Sequence, residues 1–242
     1  MSRLNRPGSR SRSAGTRRFS PWRVLRVFVV NVLVVLVVFH AAVVLSLFAM
    51  RTIDPPVTAL QIERAIEAFV TRTEYRRLQT RVPIGRMSRH LVHAVVAAED
   101  GGFFAHGGID WDELKNAVEE NERRRHWRGG STITQQLVKN LYFGTLLRWL
   151  TKPFDYTLAP LADGILGKPR VLAIYLNVVE WGAGVYGAEA ACRHWYGRPA
   201  SSIGRERAAR LAACLPAPRR RHPDRMNRYS RIILTRMAGR GW

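Results

Sequence analysis

The sequence predicts a mainly α protein behind a single N-terminal transmembrane helix, and three observations carry that prediction. Residues 27–50 are almost unbroken Val, Leu, Phe and Ala, interrupted only by Asn31, His40 and Ser46, and about 20 apolar residues suffice to cross a bilayer. Downstream, apolar residues recur at helical spacing between Gly, Pro and polar caps. No alternating strand hairpin stands out in the remainder.

Residues 1–23 form a basic tail with Arg3, Arg6, Arg10, Arg12, Arg17, Arg18 and Arg23, no acidic residue and no apolar periodicity, which predicts disorder. The positive-inside rule puts this tail in the cytoplasm and the rest of the chain outside. Residues 24–50 are the anchor. They exceed a signal-peptide core, and no small-residue cleavage site follows Met50, so an uncleaved single pass is expected. Residues 51–82 read as a juxtamembrane spacer lying on the membrane, punctuated by Asp54-Pro55-Pro56, helical near Ile62 to Phe69, and broken at Arg81-Val82-Pro83.

The folded domain is expected over residues 83–238. From Ser88 an apolar face of Leu91, Val92, Val95 and Val96 runs to Ala97-Ala98-Glu99-Asp100-Gly101-Gly102, so Glu99 leaves a buried helix at its C-terminal end. Further helices are expected at 110–122, 132–142, 151–166, 169–179, 187–196, 204–215 and 225–238.

The formal net charge is +21. Such a surface suits anionic headgroups and a pyrophosphate-bearing lipid, at about 1 kcal/mol per Lys or Arg near the membrane. Nucleic acid would suit the charge equally, but a domain outside the membrane does not meet chromosomal DNA, and no nucleic-acid partner is expected. Lysine occurs only at Lys115, Lys139, Lys152 and Lys168, so a coding bias toward Arg is the competing explanation of the basicity. Cys192 and Cys214 are too few for a disulfide framework and read as buried free thiols in helices.

Two polar signatures dominate the middle of the chain: Glu99-Asp100-Gly101-Gly102-Phe103-Phe104-Ala105-His106-Gly107-Gly108, then Gly129-Gly130-Ser131-Thr132-Ile133-Thr134-Gln135-Gln136-Leu137-Val138-Lys139-Asn140. A buried polar group without a partner costs about 1–3 kcal/mol, so a run this polar is better explained by a polar ligand. Gly129-Gly130 allows close backbone approach, and Ser131 or Thr132 can cap a helix whose N-terminus favours an anion. Desolvation and the neighbouring Asp100 would raise the pKa of Glu99, which suits a general base; a lone solvated carboxylate is the ordinary alternative. For His106, a structural histidine capping the next turn competes with a role in shaping the site. No second His stands at a helical ligand spacing from it, so no metal is expected there.

These two segments resemble the first motifs of peptidoglycan glycosyltransferases, glycosyltransferase family 51, which read E-D-x-x-F-x-x-H-x-G and G-x-S-T-I-T-Q-Q-x-x-K-N. The resemblance runs from Pro83 to Met237 through Tyr175-Leu176-Asn177, Gly184-Val185-Tyr186-Gly187 and Leu215-Pro216. It implies the lysozyme-like glycosyltransferase fold, with a small membrane-embedded subdomain near residues 112–127 and 141–157. The implied reaction polymerises lipid II into glycan strands at the inner membrane, inverting the anomeric centre and releasing undecaprenyl pyrophosphate.

By resemblance, Glu99 is the base, while Asp100, Phe103 and His106 shape the cleft. Gly130, Ser131, Thr132, Gln135, Gln136 and Asn140 meet the substrate, and Lys139 meets its pyrophosphate. Lipid II, the nascent strand, membrane lipids and other cell-wall synthesis proteins are the implied partners. No organic cofactor is implied, and Mg²⁺ or Mn²⁺ suits the pyrophosphate. With the sequence ending at Trp242 and no transpeptidase region, a monofunctional enzyme is expected.

The third family motif, R-K-x-x-E, is altered to Thr151-Lys152-Pro153-Phe154-Asp155. Asp155 takes the place of a second functional glutamate, one methylene shorter, and Thr151 that of a phosphate-facing arginine, for which Arg148 is the candidate substitute. Ala173 stands where the family usually has an acid before Tyr-Leu-Asn. Losing one charge-assisted hydrogen bond costs about 1.5–3 kcal/mol, roughly ten- to a hundredfold in rate. These changes motivate a second reading, a catalytically impaired member that binds lipid II or wall-synthesis partners. A lysozyme-like hydrolase is disfavoured by the anchor and the second motif.

Overall fold

The computed structural model describes residues 21–124, 129–146 and 148–242, with the side chains of Arg123, Arg124 and Arg148 excluded. Of the tail expected to be disordered over residues 1–23, residues 1–20 lie outside the described residues, whereas residues 21–23 are the first residues of a helix. The chain divides into two compact units, residues 1–42 and 43–242.

Most of the first unit's described part is helix α1 (Pro21–Ala49), whose most apolar window has a mean hydropathy of 2.9. From Val24 to Val38 nearly all of its Val, Leu and Phe side chains are exposed around the helix, the pattern of a helix whose solvent is hydrocarbon. The polar interruptions are satisfied locally: His40 Nδ1 donates to Leu36 O, and Ser46 Oγ donates to Val43 O. The helix fits a single-pass membrane anchor.

The second unit contains α2 (Ala59–Thr71), α3 (Arg89–Glu99), α4 (Trp111–Arg124), α5 (Ile133–Tyr142), α6 (Arg148–Leu166), α7 (Lys168–Val178), α8 (Ala188–Tyr196), α9 (Arg205–Ala212) and α10 (Asn227–Ala238). Every helix expected from the periodicity forms, with ends displaced by a few residues. Helix α7 is the spine. Its Val171, Leu172, Ile174, Tyr175, Leu176 and Val178 are all buried, and it packs against α5, α6 and α8, while α3 packs against α9 and α10.

A small sheet was not anticipated. Strands β2 (Glu180–Gly182) and β3 (Val185–Tyr186) form an antiparallel hairpin, and β1 (Leu78–Gln79) pairs parallel to β3, in the order β1-β3-β2. Strands of two or three residues are too short to show alternation, and β2 and β3 are buried throughout. Gly184 is required at the turn: its φ is +72°, and a Cβ there would lie 2.4 Å from Arg76 O.

The stretch 51–82, expected to be a spacer, is also packed into the second unit. Arg64 Nε donates to Glu180 Oε2 at 3.4 Å, β1 completes the sheet, and Asn177 binds Val82 twice. Val82 N donates to Asn177 Oδ1 and Asn177 Nδ2 donates to Val82 O, each at 3.0 Å. Asn177→Ala removes both partners at once, with an expected loss of about 2 kcal/mol, read as a fall in Tm. Cys192 and Cys214 are buried free thiols, pushed up to about 12 by burial.

Candidate functional site

The site begins where α3 stops. The buried residues Leu91, Ala94, Val95 and Ala97 seat α3 in the core, so Glu99 and Asp100 emerge at a fixed place. The two acids then diverge. Asp100 is 7% exposed; its Oδ2 accepts from Ile133 N at 2.9 Å, and its Oδ1 accepts from His106 Nε2 at 3.0 Å. It thereby ties the end of α3, the start of α5 and the 101–110 loop together. Burial pushes its carboxyl above the usual range, against the pull of His106 and the Ile133 amide.

Glu99 faces the cleft instead. Its Oε2 accepts from Gln136 Nε2 at 2.8 Å, and Gln136 Oε1 in turn accepts from Tyr175 OH at 2.8 Å. Its Oε1 is buried with no hydrogen-bond partner. Burial raises the carboxyl; the Gln136 hydrogen bond, Lys139 and Arg221 pull it down, and Asp100 raises it again, leaving it above the ordinary value.

The Tyr175 hydroxyl stays protonated, because burial holds its pKa well above 10.0, so it always donates and fixes which face of the Gln136 amide meets Glu99. Tyr175→Phe frees the amide to turn. We expect about a tenfold loss of kcat/KM, the value of one hydrogen bond of about 1–1.5 kcal/mol, with the acid limb moved to higher pH. The direction follows because the base must be ionised: a weaker donor on the carboxylate raises its pKa. An unchanged pH profile would exclude the relay.

The loop after Glu99 is held by glycine geometry. Gly108 has φ +89°, and a Cβ there would meet Ala159 O at 2.6 Å; its carbonyl accepts from Thr132 Oγ1 at 2.6 Å. Asp110 Oδ1 caps α4 by accepting from Glu113 N. Folding also gathers Asp100, His106 and Asp110, with one metal-competent atom from each within 4.8 Å of the others. Within it Asp100 binds His106 and the Ile133 amide, while Asp110 binds the Glu113 amide.

In the second motif, Thr132 is the α5 N-cap. Thr132 N donates to Gln135 Oε1 at 3.0 Å, and Gln135 N donates to Thr132 Oγ1 at 3.1 Å, a reciprocal capping box. Gln135, expected to contact substrate, is consumed by this cap and is 2% exposed. Phe103 is a core residue with Lys168 Nζ over its ring at 4.5 Å, and Asn140 is 5% exposed. These three do not line the cleft. Gly130 does, and it also lets the turn approach α4, since a Cβ would lie 3.2 Å from that of Ala117.

The third motif reaches the second through Lys152, whose Nζ lies 3.3 Å from Ser131 Oγ and 3.2 Å from Asp155 Oδ2. Asp155 is 5% exposed, and its Oδ1 is buried without a partner. Burial raises its carboxyl, while Lys152 and Lys139 pull it down. The Arg148 side chain, expected to replace the missing arginine, lies outside the described residues.

Around Glu99 is a cleft of about 760 Å³, lined by Glu99, Asp100, the 129–132 turn, Gln136 and Lys139. His106 lies outside it, in an adjoining hollow. Arg221, Tyr229, Arg236 and Arg240 line the cleft as well, as do Asp110 and Glu113, and none of these six was among the site residues expected from the sequence. Arg236 and Arg240 stand one helical turn apart, a spacing visible in the sequence, but nothing local says which face meets α3. Arg236 Nη1 donates to Ala97 O at 3.2 Å, across 139 residues of chain.

A carboxylate held above its normal range, in a cleft of a helical domain that also holds Lys139, Arg221, Arg236 and Arg240, suits acid-base chemistry on a substrate that carries negative charge. Comparison with known proteins makes this specific. Residues 65–238 match the model of the Transglycosylase family. A protein of Azoarcus sp. (strain BH72) named biosynthetic peptidoglycan transglycosylase is 45% identical over 171 residues, covering 70% of this chain and 74% of the relative. A protein of the same name from Dechloromonas aromatica (strain RCB) is 40% identical, covering 76% of this chain and 82% of that one. This chain belongs to the transglycosylase family.

Proposed function

We propose that this protein is a peptidoglycan glycosyltransferase that polymerises lipid II into glycan strands and releases undecaprenyl pyrophosphate. The observation that carries the reading is the unpartnered Glu99 Oε1 in a cleft that also holds Lys139, Arg221, Arg236 and Arg240. In this reading Glu99 takes the proton from the acceptor sugar 4-hydroxyl as that oxygen attacks the anomeric carbon of the lipid-linked donor. The anomeric C–O bond breaks on the opposite face, and the electron pair leaves with the pyrophosphate. Lys139 influences both Glu99 and Asp155 electrostatically, which suits a cation standing between the base and the leaving group. Lys152, oriented by Asp155, supplies a second positive charge.

A divalent ion fits this arrangement. The buried, partnerless Asp155 Oδ1 offers one hard oxygen, and Mg²⁺ typically binds one or two carboxylates plus substrate phosphates. Mg²⁺ or Mn²⁺ there would neutralise charge on the departing pyrophosphate; the reading needs no organic cofactor. We place the tail in the cytoplasm, α1 across the inner membrane and the enzyme domain on the outer side, supported by the Arg-rich, acid-free residues before α1. Membrane lipids are proposed partners of α4 and early α6, where Trp111, Val118, Leu146 and Trp149 are 62%, 51%, 79% and 76% exposed. Other wall-synthesis proteins are proposed as further partners, since the bare strand must still be crosslinked.

The test is polymerisation of labelled lipid II by the detergent-solubilised protein, read as a glycan ladder. A ladder is expected. Binding of lipid II without one would favour the impaired reading, which the preserved Lys152–Asp155 pair does not support. The altered third motif should instead limit the rate. Thr151→Arg with Asp155→Glu is expected to raise kcat about tenfold, the value of one restored charge-assisted contact.

A further inference from the structure

Helix α2 buries Leu60 and Ala68 but leaves its other large apolar residues outside. Its charged residues Arg64 and Glu63 bind the protein, with Arg64 paired to Glu180 and the Glu63 carboxylate accepting from the backbone of Thr145 and Leu146. On the side away from Arg64, Ile62, Ile66, Phe69 and Val70 are 49%, 57%, 85% and 72% exposed. The spacing i, i+4, i+7, i+8 makes these one continuous stripe. A surface helix in water does the reverse, so this stripe meets something apolar.

Three observations select the bilayer over a protein partner. The last turns of α1 belong to the same unit as α2: Val43 and Leu47 are buried, and Ser46 Oγ lies 2.7 Å from Tyr142 OH. Only residues 50–58 separate the two helices, so α2 starts close to where the membrane span ends. The apolar exposure also continues past the Glu63 clamp into Leu146 and Trp149, a larger surface than one docked helix would cover. Finally, exposed Arg51, Arg72 and Arg76 flank the helix, cations positioned for headgroup phosphates, as in interfacial helices.

We propose that α2 is an interfacial helix whose Ile62, Ile66, Phe69 and Val70 stripe lies among acyl chains of the leaflet in which α1 ends. The segment thus adds a further element to the membrane contact proposed for α4 and early α6, which it meets at Leu146 and Trp149. Its role is to fix the height and tilt of the cleft above the bilayer, because the Glu63 clamp joins α2 to the turn before α6.

The test uses the full chain with a fluorophore on Phe69→Cys or Ile62→Cys, in vesicles of phosphatidylethanolamine and phosphatidylglycerol carrying brominated acyl chains. The native cysteines are buried and stay unlabelled, and Glu206→Cys on α9, where the side chain is 69% exposed, is the control. Strong bromine quenching at 62 and 69, absent at 206, is the expected result. Iodide quenching from water at 69, equal to that at 206 and without bromine quenching, would overturn the proposal. So would energy transfer between copies labelled at 69 without bromine quenching, which would identify a second copy as the cover. No readout depends on lipid II, so the outcome is independent of the polymerase reading.

Discussion

Glu99→Gln should cost about a hundred- to ten-thousandfold in polymerisation rate while leaving lipid II binding nearly intact. General-base catalysis contributes roughly 10²–10⁴, and the amide keeps the shape and the Gln136 contact while losing the proton-accepting charge. The same substitution should stabilise the protein at neutral pH. Burial holds the Glu99 carboxyl above its ordinary value, so the native state binds the proton more tightly than the unfolded chain. The stability gained from that preference is fully present below the unfolded pKa of about 4.3 and is lost as pH rises through the folded pKa. With rising pH the wild type therefore loses stability that Gln, which does not titrate, keeps. Thermal melting at pH 7 and at pH 4 should show the variant's advantage at the higher pH only. Equal Tm differences at both values would contradict the burial argument.

Lys139→Met should lower kcat by about a hundredfold or more, with a smaller change in KM. Removing one preorganised charge donor of this kind typically costs 10²–10³ in kcat, and positive charge near a leaving pyrophosphate is worth most when negative charge develops. A second effect runs through the base. Lys139 pulls down the carboxyls of both Glu99 and Asp155, so its loss raises them further. The acid limb of the rate profile then moves to higher pH, because a larger share of Glu99 is protonated at a given pH. Lys139→Arg keeps the charge and should restore the position of that limb, while recovering only part of kcat because the guanidinium has a different shape. A kcat loss with an unmoved limb would mean that Lys139 acts on substrate alone.

The two motifs were legible because their residues are dense, polar and local, and the helix ends carrying them follow from nearby caps. Their division of labour was not. Gln135 and Gln136 are neighbours, yet one closes a capping box and the other holds the base, because successive helical residues point about 100° apart and only packing decides which side is the core. Asp100 was expected to shape the cleft, but only the fold shows how: its carboxylate accepts from the Ile133 amide and His106 and ties α3 to α5. The sheet escaped notice because it is made of three fragments too short for any periodicity, joined across more than a hundred residues between β1 and β3.

By itself, then, the sequence determined the anchor, the order of the helices, the family resemblance and the altered third motif, since these rest on composition and on residues a few positions apart. Only the tertiary structure decided that Asp100 is tied to His106 and the Ile133 amide while Glu99 keeps an unpartnered oxygen, that Tyr175 orients Gln136 onto Glu99, that Arg221, Arg236 and Arg240 join the cleft, and that α2 turns Ile62, Ile66, Phe69 and Val70 outward. Those facts depend on which faces of distant helices meet, and that is set by burying the whole core at once rather than by any local stretch of chain.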